Sequence, residues 1–104
     1  MSNEALNTVL SHLVIPVVVI HDAATTPAVT DGLVVGGLRV AEVTFRTDAA
    51  PAAIESMAGD GRITVGAGTV INARQVDEAV SAGASFVVSP GLSREVVDRC
   101  RHHA

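Results

Sequence analysis

The chain has 104 residues, of which 48% are hydrophobic, and a formal net charge of −4. That length suits one domain with a buried core, and the acidity excludes the basic footprint that nucleic acid or an anionic membrane attracts. All seven cationic side chains are arginine, so these residues hold no lysine amine for Schiff-base chemistry.

The opening Met1-Ser-Asn-Glu4 is polar and slightly acidic, which does not fit the basic start of a secretory signal. A single cysteine, Cys100, cannot close an internal disulfide and favours a reducing, cytoplasmic compartment. Only Phe45 and Phe86 are aromatic, too few for a base-stacking platform. The longest apolar run, Leu13 to Ile20, is far too short to span a bilayer. Because it is apolar without alternation, it predicts a strand buried on both faces, with Pro16 near a strand start or bulge.

Thr26 then offers an N-cap with Pro27 at the first helical position, and this helix runs to Gly36-Gly37. A second strand is predicted from Leu38 to Phe45. Alanine-rich Ala49 to Ala58 follows as a helix, stopped by Gly59-Asp60-Gly61. Ile63 to Thr69 is the third strand. Asn72 with Gln75 resembles a capping box that opens a helix ending at Gly83. Phe86 to Ser89 reads as a fourth strand, broken by Pro90-Gly91, and Ser93 to Arg101 as a last helix.

The predicted strands start roughly 22 to 25 residues apart, as in βα units with short loops. Val34 to Val40 and Val80 to Phe86 also repeat one pattern: helix end, glycine, two residues, strand. The fold class is therefore α/β, a single domain over residues 1–104 built from four parallel βα units with right-handed crossovers. Such units build either a doubly wound open sheet or a TIM (βα)8 barrel. Four of them make half a barrel, since a full one typically takes about 250 residues.

Val40-Ala-Glu-Val-Thr-Phe-Arg46 is the most informative stretch. Strand alternation places Val40, Glu42, Thr44 and Arg46 on one face, and Ala41, Val43 and Phe45 on the other. The first face turns polar towards the strand's C-terminal end, where parallel α/β folds bind ligands. Glu42 there suits proton transfer, although a buried Glu–Arg pair or a water-facing edge strand would use the same residues. Burial would raise the Glu42 pKa and Arg46 would lower it, which leaves the net direction open.

Gly66-Ala-Gly68 follows a strand and precedes a helix, but the third glycine of a dinucleotide fingerprint is replaced by Ile71. The glycines are read instead as leaving space above the strand end for a ligand, with Thr69 offering a hydroxyl. Tight packing of strand against helix is the alternative. His21-Asp22 sits at the end of the first strand, as a ligand-facing pair or, more simply, a solvated loop pair beside a helix cap. Cys100, His102 and His103 carry metal-ligand atoms without a second ligand cluster, so no metal is assigned. The two histidines fit better as partners of the helix C-terminus, with Arg99 and Arg101.

Taken together, Val14-Ile-Pro-Val-Val-Val-Ile20, Gly36-Gly-Leu-Arg-Val-Ala-Glu-Val-Thr-Phe-Arg-Thr47, Val65-Gly-Ala-Gly-Thr-Val70 and Phe86-Val-Val-Ser-Pro-Gly-Leu92 resemble the N-terminal half of the 2-keto-3-deoxy-6-phosphogluconate (KDPG) and 4-hydroxy-2-oxoglutarate aldolases. The resemblance implies the first four units of a TIM barrel. It also implies a lyase that cleaves KDPG to pyruvate and glyceraldehyde 3-phosphate through a lysine Schiff base, without a cofactor. It assigns proton shuttling to Glu42 and the grip on the pyruvoyl moiety to Arg46 and Thr69. The family's lysine lies on a later strand, so the expectation is a truncated chain, inactive alone.

The implied partner is a small 2-keto acid, and the family is commonly trimeric. A non-catalytic half-barrel that self-associates through exposed strand edges, or closes into a flavodoxin-like sheet, is the alternative.

Overall fold

Residues 3–104 are described by a computed structural model. In chain order they form α1 (Asn3–Leu10), β1 (Val17–Val18), a single 3-10 turn (Ala23–Thr25), α2 (Thr26–Val35), β2 (Val40–Thr44), α3 (Ala50–Asp60), β3 (Thr64–Gly68), α4 (Ala73–Ala82) and α5 (Arg94–His103). The strands pair in parallel in the order β1-β2-β3, with Val17 opposite Glu42, and Val40 to Thr44 opposite Thr64 to Gly68.

The fourth predicted strand takes the next place. Val87 bridges Ala67 in parallel, the Ala67 amide donates to the Phe86 carbonyl (3.0 Å) and the Val88 amide to the Ala67 carbonyl (2.8 Å). This segment stops short of a full strand.

Consecutive helices pack on one another, α2 on α3, α3 on α4 and α4 on α5. They cover one face of the sheet. Ala41, Val43, Val65 and Ala67 point into that layer and form the core with Ile54, Met57, Val70, Val76 and Ala79. Strands in sequential order with no reversal, and helices in one outer layer, are the arrangement of a (βα) barrel. A flavodoxin-like sheet needs a reversal of strand order and helices on both faces. That alternative is excluded.

The local chemistry explains most boundaries. Asn72 Oδ1 accepts from the Gln75 amide (2.9 Å), and Gln75 Oε1 accepts from the Ile71 amide (2.8 Å), one residue earlier than in the usual box. Glu95, on α5, adds a third acceptor for α4 by taking the Ala73 amide (2.9 Å). Gly83 (φ 101°) and Gly61 (φ 83°) close α4 and α3 in the left-handed region that side chains resist. Ser93 caps α5 through the Val96 amide. Arg62 joins α2 to the end of α3, reaching Asp31 (2.5 Å) and Asp60 (2.7 Å).

Three expectations are corrected, and one helix is added. The run from Leu13 to Ile20 is not a strand buried on both faces: only Val17 and Val18 pair, and Leu13, Val14, Val17 and Val19 are exposed. Among the described residues its only strand neighbour is β2, so composition suited to two-sided burial meets one-sided packing. Pro16 does stand at the strand start, and its carbonyl accepts from the Glu42 amide (3.0 Å).

Thr26 is not an N-cap. It lies inside the first turn of α2, fully buried, with a hydroxyl that finds no hydrogen-bond partner among the described residues. Asp22 does the capping one turn earlier, accepting from the Ala24 amide (3.0 Å). The α3 helix continues through Gly59 and Asp60 and ends only at Gly61. Finally, α1 is a helix that the polar start concealed, because it buries little beyond Val9.

Candidate active site

β2 carries Glu42 at its centre, facing away from the helical layer. On that inner face the neighbouring strand presents Gly66 and Gly68 in the same register. The space above them is filled. A methyl group at Gly68 would overlap the Glu42 Oε1 and lie 2.6 Å from its Cδ and Cγ, so the glutamate side chain lies across β3 at that point. A methyl group at Gly66 would lie 2.5 Å from Cδ2 of the Phe86 ring. The glycines are therefore neither a ligand cavity nor a contact with a helix. They accommodate side chains from the strands on either side.

Glu42 is half-buried in this setting, and burial raises its carboxyl pKa above the ordinary value. Arg46 opposes the shift electrostatically, and burial is the larger effect. The direction that composition left open is upward.

Arg46 itself lies beyond the end of β2, in the turn, and is exposed. Strand alternation therefore does not set its direction. It makes no ion pair among the described residues, and it lines a small polar cavity of about 200 Å³ with Asp48, Arg74 and Glu78. Thr69 follows Gly68 directly and has φ 57°, the one non-glycine residue in the left-handed region among those described. A β-branched side chain is strained there, by about 1–3 kcal/mol. The strand ends stay together because the Phe45 amide donates to the Gly68 carbonyl (2.8 Å). Arg46 and Thr69 thus lie just past the C-terminal ends of β2 and β3, with Glu42 two residues inside the end of β2 and within reach of the Arg46 charge.

Other candidates lie elsewhere. His21 is exposed and Asp22 is spent on its cap, as the simpler reading held. Cys100 packs against the core, where burial pushes its thiol pKa up. His103 lies in the last turn of α5 with Arg101 and His102, and its Nε2 also meets Asp77 on α4 (2.7 Å), which Arg99 grips (2.6 and 3.0 Å). These contacts hold the Asp77 carboxyl down at about 2. Sequence reasoning missed Phe86 and Glu95. A glycine pair on the inner face of a strand, flanked by larger residues on both neighbouring strands, was the available signal for Phe86.

Sequential parallel strands and a one-sided helical layer define part of a (βα) barrel. The family model "KDPG and KHG aldolase" matches residues 6–104, and the chain belongs to that family. It is 48% identical over 83 residues to the 2-dehydro-3-deoxy-phosphogluconate aldolase of Zymomonas mobilis, covering 80% of this chain and 40% of the relative. It is 42% identical over 85 residues to the KHG/KDPG aldolase of Escherichia coli, covering 81% and 40%.

Two solved structures agree. A Zymomonas mobilis 2-keto-3-deoxy-6-phosphogluconate aldolase superposes with a TM-score of 0.80 at 44% identity, over 86% of this chain and 43% of that one. The Legionella pneumophila KDPG aldolase, captured with pyruvate as a covalent carbinolamine, gives 0.78 at 39% identity, over 84% and 43%. The chain spans about two fifths of the length of these relatives.

Proposed function

We propose that these residues form the proton-transfer and keto-acid-binding part of a KDPG-type aldolase site, acting as one partial-barrel unit. The observation that carries the reading is Glu42, half-buried with a raised pKa between Arg46 and the Gly68–Thr69 strand end. A carboxyl titrating closer to neutrality can both give and take a proton during turnover.

The chemistry follows from the residue types. An amine adds to the C2 carbonyl of the keto acid, and the displaced electron pair settles on oxygen, which takes a proton from neutral Glu42. A second proton, released by the nitrogen, lets that oxygen leave as water, and an iminium remains. Glu42, now a carboxylate, removes the C4 hydroxyl proton while the C3–C4 bonding pair moves into the iminium, releasing the aldehyde. Arg46 pairs with the substrate carboxylate and the Thr69 hydroxyl hydrogen-bonds to it. The amine comes from outside these 104 residues, which include no lysine. Substrate is then a phosphorylated 2-keto sugar acid or 4-hydroxy-2-oxoglutarate, and a lone free cysteine fits a cytoplasmic setting.

Two experiments test this. The chain alone, given KDPG, releases no pyruvate, and borohydride traps no pyruvate adduct; a trapped adduct overturns the reading. Joined to the remaining C-terminal part of the Zymomonas mobilis aldolase, it turns over. A folded hybrid that keeps full turnover with Glu42→Gln removes Glu42 from the mechanism.

The exposed strand edge favours a second reading for the chain by itself. Val14, Val17 and Val19 at one edge, with Val88 and Leu92 near the other, leave apolar surface uncovered. Self-association through these edges is the result expected from light scattering, and a soluble monomer at high concentration excludes it.

A further inference from the structure

We propose that Gly66 and Gly68 are positioning residues: Gly68 is a notch that fixes the Glu42 carboxylate on the inner face of the sheet, and Gly66 seats the Phe86 ring beside it. Glu42 reaches over β3 from one side and Phe86 from the other, above two inward positions of one strand separated only by Ala67. Each side chain must move aside if its glycine gains a Cβ. Backbone φ is ordinary at both, so conformational freedom is not what calls for glycine there. The requirement is space.

The consequence is electrostatic. The charged group acting on Glu42 is Arg46, on its own chain segment. The flanking strands, Val17–Val18 and Thr64–Gly68, carry no titratable side chain, and Phe86 adds only hydrocarbon. A carboxylate lying over glycine backbone beside an aromatic ring has one side closed to water. That is the environment that raises a carboxyl pKa. A side chain at position 68 would lift Glu42 off the sheet into solvent and towards the ordinary carboxylate range.

The inference deepens the aldolase reading and rests on it for its catalytic meaning. Its test needs no substrate, so the two can fail separately. The Glu42 carboxyl is titrated by carbon-13 NMR in the full chain, as wild type, Gly68→Ala and Phe86→Ala. Both variants are expected to lower the Glu42 pKa, Gly68→Ala by more. An unchanged titration in a folded Gly68→Ala variant overturns the proposal.

A thermal-unfolding cycle covers the case in which Gly68→Ala folds poorly. Glu42→Ala removes the atoms that position 68 would meet, so Gly68→Ala should lower the melting temperature much less in that background than in the wild type. Equal losses in the two backgrounds would show that Glu42 and Gly68 are not coupled.

Discussion

The two faces of one small sheet are built on opposite rules. Beneath the helices, Ala41, Val43, Val65 and Ala67 meet Ile54, Met57 and Val76, all buried, apolar and free of titratable groups. On the other face, a carboxylate, two glycines and an aromatic ring share the same strands, and Thr69 at the strand end holds a strained backbone. The first face gains free energy from burying apolar area and filling space. The second has free energy invested in it, as the partial desolvation of Glu42 and the conformation of Thr69. Stability and chemistry are thereby separated by the thickness of a strand, and alternation of side chains is what makes the separation possible.

The sharpest way to break this division is to remove volume under the helices. Ile54→Ala, at a fully buried site, should cost about 3 kcal/mol in a denaturant titration. A loss below about 1 kcal/mol would mean that the helical layer is not the main source of stability.

On the inner face, Glu42→Gln should lower turnover of the hybrid barrel by about 100-fold while leaving the fold intact. Its effect on stability has a defined sign. The folded pKa of Glu42 is raised, so ionisation disfavours the native state above that pKa, and acid removes the penalty by the time the pH reaches the unfolded value of 4.5. Glu42→Gln should therefore stabilise the chain at pH 8, with the gain vanishing near pH 4. A gain that grew with acid would contradict the burial argument.

A smaller effect is expected at Thr69. Asparagine tolerates the left-handed region better than a β-branched residue, so Thr69→Asn should raise stability by about 1 kcal/mol, and also weaken keto-acid binding in the hybrid. Destabilisation instead would show that Thr69 does structural work. The smallest change is outside both faces. Asp77 titrates at about 2 against an ordinary 3.8, so its contribution to stability is intact above about pH 4 and is lost as the pH falls towards 2. Asp77→Asn should flatten that stretch of the pH–stability profile by lowering stability above about pH 4 to the level found in acid, and the step is small because the cluster is solvent-exposed.

Much of this arrangement was legible in the residues. The caps at Asn72 and Ser93 and the stops at Gly61 and Gly83 are local chemistry, decided within a few residues, and all four predicted helices fall within two residues of their expected ends. The Glu42 position was equally legible, because alternation in Val40 to Thr44 is set by the backbone. Misreadings came where a partner decides the outcome. Leu13 to Ile20 is apolar throughout, but β2 pairs with only two of its residues. Arg46 continued the alternation on paper, and the strand ends before it.

The same divide runs through the chain as a whole. Length, glycine placement and the order of apolar runs determined a parallel α/β chain of βα units and put a carboxylate on the face of the second strand that turns polar towards its C-terminal end. These properties depend on local periodicity and survive without knowledge of neighbours. Tertiary structure alone decided that the helices share one face, that Glu42 rests against Gly68 and Phe86 against Gly66, and that burial prevails over Arg46 in setting the Glu42 pKa. Each of those depends on which atoms from distant segments occupy the same few ångströms, and no residue carries that information by itself.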